Sequence, residues 1–518
     1  MSDAAQSCQF APMTFRPYVV NLFLFLSAAA GQPALPQNER PFKPHIPKVW
    51  DEQALAAWAT PVAGLNVPPG HVPEAEYYRA PIDNYQTYPV YAPGREPDGY
   101  WQMLQTVGPK PLIDPSKLRS RGDWIQAGKT VFDQADHLSL RSLDPKVIAA
   151  LRSPGMLKNL PYVSPDGTLR LLRWVPTEKG VAIGHLNCGS CHTREEPDGT
   201  RLNGPPARGE ASSPIRGLLG AEHVATSPFH IPESLGEKMY RAFAVPWVKD
   251  DVHERLKQMS QDELAAWNGS QALAKGVIPR WNGSVFFPAK VPDLIGVASR
   301  KYLDHTGTHA NRGIGDLMRY AALVSYAESS VFGSHQMLAP QQRRMYGRLP
   351  DEAFYALALY IQSLQPPPNP NAFDKRARAG QQIFAREGCS GCHTPGLYTN
   401  NKLTLAKGFV PPAGTPARLD VMAMSVGTDP NLALKTRKGT GYYKVPSLRG
   451  VWYRGHFLHD GSIASLEEMF DPDRLTETHR PGGWNAPGVR TRAVPGHEFG
   501  LHLAQDEKAS LIAFLKTL

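Results

Sequence analysis

The sequence has little of what would settle its class at once. Only five of its 518 residues are cysteine, too few for the dense bridging of a disulfide-stapled mini-fold. No apolar run reaches the roughly 18 residues needed to cross a bilayer. Basic residues exceed acidic ones by nine, yet no run of Lys or Arg stands out, so nothing marks a nucleic-acid surface. Hydrophobic residues at 42% and charged residues at 20% are ordinary for a soluble globular chain. The length allows about two to four domains.

Proline is abundant instead, at 49 residues. Its clustering near the N-terminus and in linkers implies long irregular stretches. Residues 1–30 read as an export signal. Arg16 supplies positive charge, Val19 to Leu26 is apolar except for Asn21, and Ala28-Ala29-Ala30 is a small-residue cleavage site. The expected location of the mature protein is therefore the periplasm or the cell exterior. Cys8 precedes the apolar run and leaves with the signal.

The other four cysteines form two pentapeptides, Cys188-Gly189-Ser190-Cys191-His192 and Cys389-Ser390-Gly391-Cys392-His393, each followed by Thr. Cys-x-x-Cys-His is the attachment motif of c-type haem. Its two thiols reach the two vinyl groups on one porphyrin edge, and the next residue brings an imidazole under the iron. One copy would also fit a redox dithiol or half a zinc site. Two copies that use every cysteine beyond the signal favour two covalent haems c, with His192 and His393 as proximal iron ligands.

An internal repeat surrounds the motifs. Ala127 to Phe132 matches Ala379 to Phe384, Lys290 to Val297 matches Lys444 to Val451, and Leu357 to Leu364 matches Leu511 to Leu518. His305-Thr306-Gly307 and His459-Asp460-Gly461 lie in the same register, 154 positions apart. The closing runs carry apolar residues at helical spacing. The expected fold is mainly α: two cytochrome c-like helical domains in tandem, with long irregular insertions around the first haem. The expected layout is a signal over 1–30, a Pro-rich extension over 31–120, a first domain over 121–365, a linker over 366–373 and a second domain over 374–518. The linker proline run from Pro366 to Pro370 predicts a fixed relation between the halves. From Phe132 to Cys188 is 56 positions, against 5 from Phe384 to Cys389. The first half is thus enlarged around its motif, as a site built for more than electron transfer would be.

With Lys444-Val445-Pro446-Ser447-Leu448-Arg449 leading to Phe457 through Ser462 and then Leu466-Glu467-Glu468, residues from about 120 to 518 resemble the bacterial dihaem cytochrome c peroxidase superfamily. That superfamily also holds the dihaem enzyme that matures methylamine dehydrogenase and the dihaem rubber oxygenases. The large first half and the Gly496 to Gly500 stretch are more similar to the rubber-oxygenase-like branch. The resemblance implies an N-terminal haem that meets O2 or H2O2 and a C-terminal haem that passes electrons. It also implies a small redox protein as donor, an apolar organic substrate for the oxygenase branch, and room for a bound calcium ion.

Compact peroxidases place a Met ligand where this chain has Arg474, which cannot bind iron. His497 is the preferred sixth ligand of the second haem, with Met469, His479 and His502 as rivals. The repeat sets Arg343 opposite His497 in the first half. His305 is the leading polar candidate near the first haem, although its match with His459 fits a shared loop-positioning role. Phe286, Phe287 and Tyr302 flank the Lys290 segment, where the resemblance places aromatic residues facing bound oxygen. Trp174 and Trp281 are candidate electron carriers. The competing functions are oxygenase, peroxidase and plain dihaem electron carrier. A pyridine haemochrome assay with intact mass is expected to show two porphyrins per mature chain; zinc, a disulfide or one porphyrin would contradict the motif reading.

Overall fold

The computed structural model describes residues 42–54, 70–136, 141, 143–153, 164, 166–185, 187–196, 199–207, 258, 276–278, 287, 289–326, 331–332, 335–336, 347–411, 419–435 and 440–518. The expected export signal, Trp281, Phe286 and Arg343 lie outside them.

Four helices carry the frame: α1 (Arg121–Gln134), α2 (Asp351–Ser363), α3 (Lys375–Arg386) and α4 (Gln505–Lys516). Ser120 starts α1 with a capping box. Its hydroxyl accepts the Asp123 amide at 3.1 Å, and the Asp123 carboxylate takes the Ser120 amide at 2.9 Å. Asp374 caps α3 by accepting the Ala377 amide at 2.9 Å. Asp506 and Glu507 give the first turn of α4 the negative charge its dipole favours.

These helices cross in two pairs, α1 with α2 and α3 with α4, as the repeat predicts. Each crossing is made at a glycine. A Cβ on Gly128 would lie 1.9 Å from the Ala356 carbonyl oxygen, and one on Gly380 would lie 1.9 Å from that of Ser510. Ala356 and Ser510 stand 154 positions apart, the repeat offset. Aromatic edges lock both crossings: Phe132 meets Tyr360 at 5.3 Å and Phe384 meets Phe514 at 5.4 Å between ring centroids. Among the described residues no helix is long and apolar enough to cross a membrane.

The expectation of irregular insertions is corrected in one place. Thr168–Thr177 and Gly180–His185 form an antiparallel hairpin, with Tyr88–Tyr91 of the N-terminal extension as a third strand. Leu169, Leu172, Trp174 and Val175 supply strand-forming bulk, and a two-residue loop, Glu178 and Lys179, leads into Gly180 at φ 121°. Trp174 is fully buried in this core, edge-on to Trp101 at 5.1 Å. The geometry gives it a packing role.

The two halves are stitched by a reciprocal exchange. The Lys290 amide donates to the His459 carbonyl at 2.7 Å, and the Lys444 amide donates to the His305 carbonyl at 2.9 Å. The four positions are two repeat-equivalent pairs. Gly307 at φ 64° packs under Leu403 of the second half, and Gly461 at φ 70° packs under Val277 of the first. Any side chain at either would strike its neighbour and strain the left-handed turn. The linker is pinned as well, with the Asn369 amide donating to the Lys516 carbonyl at 3.0 Å.

Gly128→Ala and Gly380→Ala should each cost about 1–3 kcal/mol or more through forced helix separation. Gly313→Ala, with open space around its Cβ, should stay within about 0.5 kcal/mol. Thermal unfolding of the three variants tests this; equal stability would refute the tight crossings.

Candidate functional site

Both motifs sit where α1 or α3 ends. The first begins a helical turn, Cys188–His192, capped by Asn187. The Asn187 Oδ1 accepts the Ser190 amide at 2.9 Å, while its Nδ2 donates to the Asp133 carbonyl near the end of α1 at 2.7 Å. The cap therefore fixes the pentapeptide to the helix before it. Beyond the motif, the His192 carbonyl accepts the Gly204 amide at 2.7 Å, and the Gly204 carbonyl accepts the Leu294 amide at 2.9 Å. This links the motif to the Lys290 segment.

The second motif follows Gly388, at φ 73°, and winds into a 3-10 turn over Cys389–Gly391. His393 is buried, and its amide donates to the Cys389 carbonyl at 2.8 Å. Its Nδ1 lies 3.1 Å from the Tyr398 carbonyl oxygen. A carbonyl can only accept, so Nδ1 carries the proton and Nε2 keeps the lone pair a metal needs. All four thiols are free of disulfides. Burial raises Cys188 to about 12 and Cys389 to about 11, so both remain neutral thiols near neutral pH.

The His497 ring stands 6.3 Å from the His393 ring, centroid to centroid, and tilted by 57°. Two imidazoles holding one first-row metal from opposite sides, each nitrogen about 2 Å from it, have centroids about 6–6.5 Å apart. His497 is lowered to about 4, first by burial and next by the nearby His393. It stays neutral, the form in which an imidazole binds metal. Free thiols, an oriented proximal nitrogen and a facing imidazole fit a covalent haem in the second half. In the first half, the free thiols and the capped turn ending in His192 fit attachment.

The rivals of His497 are otherwise engaged. His479 Nε2 lies 3.0 Å from Glu468, and the exposed His502 lies 3.1 Å from Glu387. Met469 packs against the core around α3 and α4. Of the expected first-site residues that are described, His305, Tyr302 and Phe287 each have a separate partner. His305 holds the Lys290 carbonyl at 2.8 Å through Nε2. Burial, reinforced by the Lys444 ammonium, keeps its imidazole well below the ordinary range. Buried Tyr302 donates its hydroxyl to the Leu419 carbonyl of the second half. Phe287 is half-buried, with the Lys435 ammonium 5.5 Å from its ring centre. Tyr302 reaches the second half through its hydroxyl and His305 through its main-chain carbonyl, which accepts the Lys444 amide, while the His305 ring bonds within its own half. His459, the partner of His305, stacks on buried Tyr443 at 4.4 Å.

Sequence reading missed a buried acid–histidine pair. Asp304 Oδ2 lies 2.9 Å from His309 Nδ1, and the same carboxylate accepts the amides of Thr306, Thr308 and His309 at 3.0 Å each. The signal was present: the repeat puts Leu458 and Ile463 at these positions in the second half, so the pair belongs to the first half alone. Among the described residues no group of three or more His, Cys, Asp or Glu offers a further metal site.

Two disulfide-free Cys-x-x-Cys-His turns, each following the first helix of a glycine-crossed pair, present the thiols and imidazole that covalent haem c attachment requires. Comparison with known proteins narrows the class. The chain is 33% identical over 84 residues to a cytochrome-c peroxidase of Denitromonas iodatirespirans, covering 16% of this chain and 19% of that one. It is 26% identical over 160 residues to the methylamine utilization protein MauG of Methylorubrum extorquens, covering 29% and 36%. The homologues it matches are members of the dihaem cytochrome c peroxidase superfamily. The matches span roughly a fifth to a third of those relatives' own lengths. No family model matches. A MauG-like protein associated with microbial copper homeostasis superposes at a TM-score of 0.26 with 16% identity, over 44% of this chain and 73% of that one, a likeness too loose to weigh.

The Thr306 hydroxyl donates to Asp304 as well, so Asp304→Asn must turn an amide NH2 or a single oxygen toward five donors. It should destabilise the protein by at least about 2 kcal/mol, read as a lowered midpoint in urea; a shift within error would show the cluster to be slack.

Proposed function

We propose that this chain is an exported dihaem oxidoreductase in which the two halves divide the work. Cys188, Cys191 and His192 hold the centre that meets a small oxidant, O2 or H2O2. Cys389, Cys392 and His393, with His497 opposite, hold the centre that passes electrons. The observation that carries this reading is the facing pair His393 and His497 at 6.3 Å, set against Arg343 at the repeat-equivalent position of the first half. Iron held by two imidazoles offers no open position and exchanges electrons, whereas iron with one histidine and an open side binds O2 or peroxide.

The chain's own residues serve this division. Tyr398 keeps the proton on Nδ1 of His393 and so aims Nε2. His305 and Tyr302 tie the Lys290 segment to the second half and hold the halves, 121–365 and 374–518 with the 366–373 linker between, in one arrangement. Phe286 and Phe287, next in sequence to the Lys290 segment, are the aromatic residues that would keep water from the first centre, which would suit an apolar organic substrate. The enlarged first half with its hairpin sheet supports the rubber-oxygenase-like branch. The second reading, reduction of H2O2 with electrons from a small redox protein, is favoured by the match to a peroxidase.

Mixing the reduced protein with each oxidant separates them. A stable O2 adduct identifies the oxygenase, peroxide-driven oxidation of a reduced small cytochrome identifies the peroxidase, and inertness to both overturns the enzyme reading. In His497→Ala the second centre should bind added imidazole or CO while haem content stays at two per chain. An unaltered low-spin spectrum in that variant would remove His497 as a ligand.

A further inference from the structure

We propose that Arg474 is the positioning residue of the second centre: its guanidinium clamps the loop that presents His497 and sets a fixed positive charge beside that ligand. The inference rests on the reading of His497 as an iron ligand and adds what makes it one.

Arg474 is fully buried, and the partners of its side chain are main-chain carbonyls. Nε donates to Met469 at 3.0 Å, Nη1 to Val494 at 2.5 Å, and Nη2 to Gly496 and His497 at 2.9 Å each. One planar fork thus joins the end of the Leu466–Met469 helix to three carbonyls of the ligand loop. That loop is strained. His497 has φ 51° in the left-handed region, where a residue with a β-carbon persists only if its surroundings over-determine it. The opposite side supplies the rest of the constraint. The His497 amide donates to the Val426 carbonyl at 2.6 Å, and a Cβ on Gly496 would lie 2.2 Å from the Thr428 nitrogen. The loop is held between Arg474 and residues 426–428.

Glu498, Glu468 and Asp471 act on Arg474 from a distance, but among the described residues no carboxylate stands within ion-pair distance of it. A buried cation with carbonyl partners is a costly way to fill space, since an apolar side chain of similar volume would avoid the desolvation. What the cation adds is a field. Placed next to an axial ligand, it disfavours the more positive ferric state and raises the reduction potential of that iron. Lysine keeps the charge but, as a point donor, lacks the fork that spans several carbonyls.

The test compares Arg474→Gln, Arg474→Lys and His497→Ala in the full-length holoprotein, with haem content by intact mass and folding by circular dichroism. Arg474→Gln should lower the second-haem potential and let added imidazole displace the protein ligand, at least tenfold more readily than in the unaltered protein. Arg474→Lys should keep most of the potential yet show the same loss of resistance to imidazole. If Arg474→Gln does not fold, Arg474→Lys carries the decision: unchanged resistance to imidazole overturns the proposal. Folded Arg474→Gln with wild-type potential and ligand exchange also overturns it. His497→Ala keeps the two failures apart. If its spectrum is unaltered, the ligand reading fails; if His497→Ala opens the iron while both Arg474 variants behave as wild type, the clamp alone fails.

Discussion

Two main-chain hydrogen bonds fix the arrangement on which everything else depends. The Lys290 amide reaches the His459 carbonyl and the Lys444 amide reaches the His305 carbonyl, so each half supplies the donor for one bond and the acceptor for the other. Neither half completes its Lys-Val-Pro segment alone. The side chains repeat the exchange. The Lys444 ammonium donates to the Tyr302 carbonyl at 3.1 Å, and the Lys290 ammonium sits 5.9 Å from the Phe457 ring centre. Because the partners are backbone groups in enclosed turns, losing one would leave a polar atom unsatisfied, which is costlier than losing an exposed contact. The fixed relation expected from the proline linker is thus supplied mainly by these crossed contacts.

Within that symmetric frame the chemistry is asymmetric. Both halves keep the helix crossing at glycine, the Cys-x-x-Cys-His turn and the His-x-Gly turn. The second half adds Arg474 and the loop that sets His497 opposite His393. The first half adds the Asp304–His309 pair and the hairpin built on Trp174. A duplicated scaffold with unlike additions is how one centre can be closed and the other left open, since axial ligation and pocket composition are separate from the helices that carry the motif.

Much of this was legible in the sequence, for physical reasons. Covalent haem attachment demands fixed spacing, so both motifs announced themselves. Close helix crossing demands a residue without a β-carbon, so Gly128 and Gly380 recurred in register. His497 was reachable because Arg474 broke the expected ligand pattern and the repeat offered no equivalent imidazole. The contacts of His305 and Tyr302 were not legible. Their side-chain partners are main-chain carbonyls, of Lys290 and of Leu419, and a carbonyl has no letter in the sequence. The Asp304–His309 pair has no counterpart in the repeat, so it is marked only by what one half has and the other lacks. The hairpin was hidden by the surrounding prolines, although Gly180 after a two-residue loop was its signature.

The central claim is that the second centre is closed by a pair of histidines and the first is open. Electron paramagnetic resonance of the ferric protein, recorded before and after adding cyanide or imidazole, addresses both centres at once. The account predicts one low-spin bis-imidazole signal that ignores the added ligand and one distinct signal that shifts on binding it. Two low-spin signals indifferent to added ligand, or two that both respond, would contradict it.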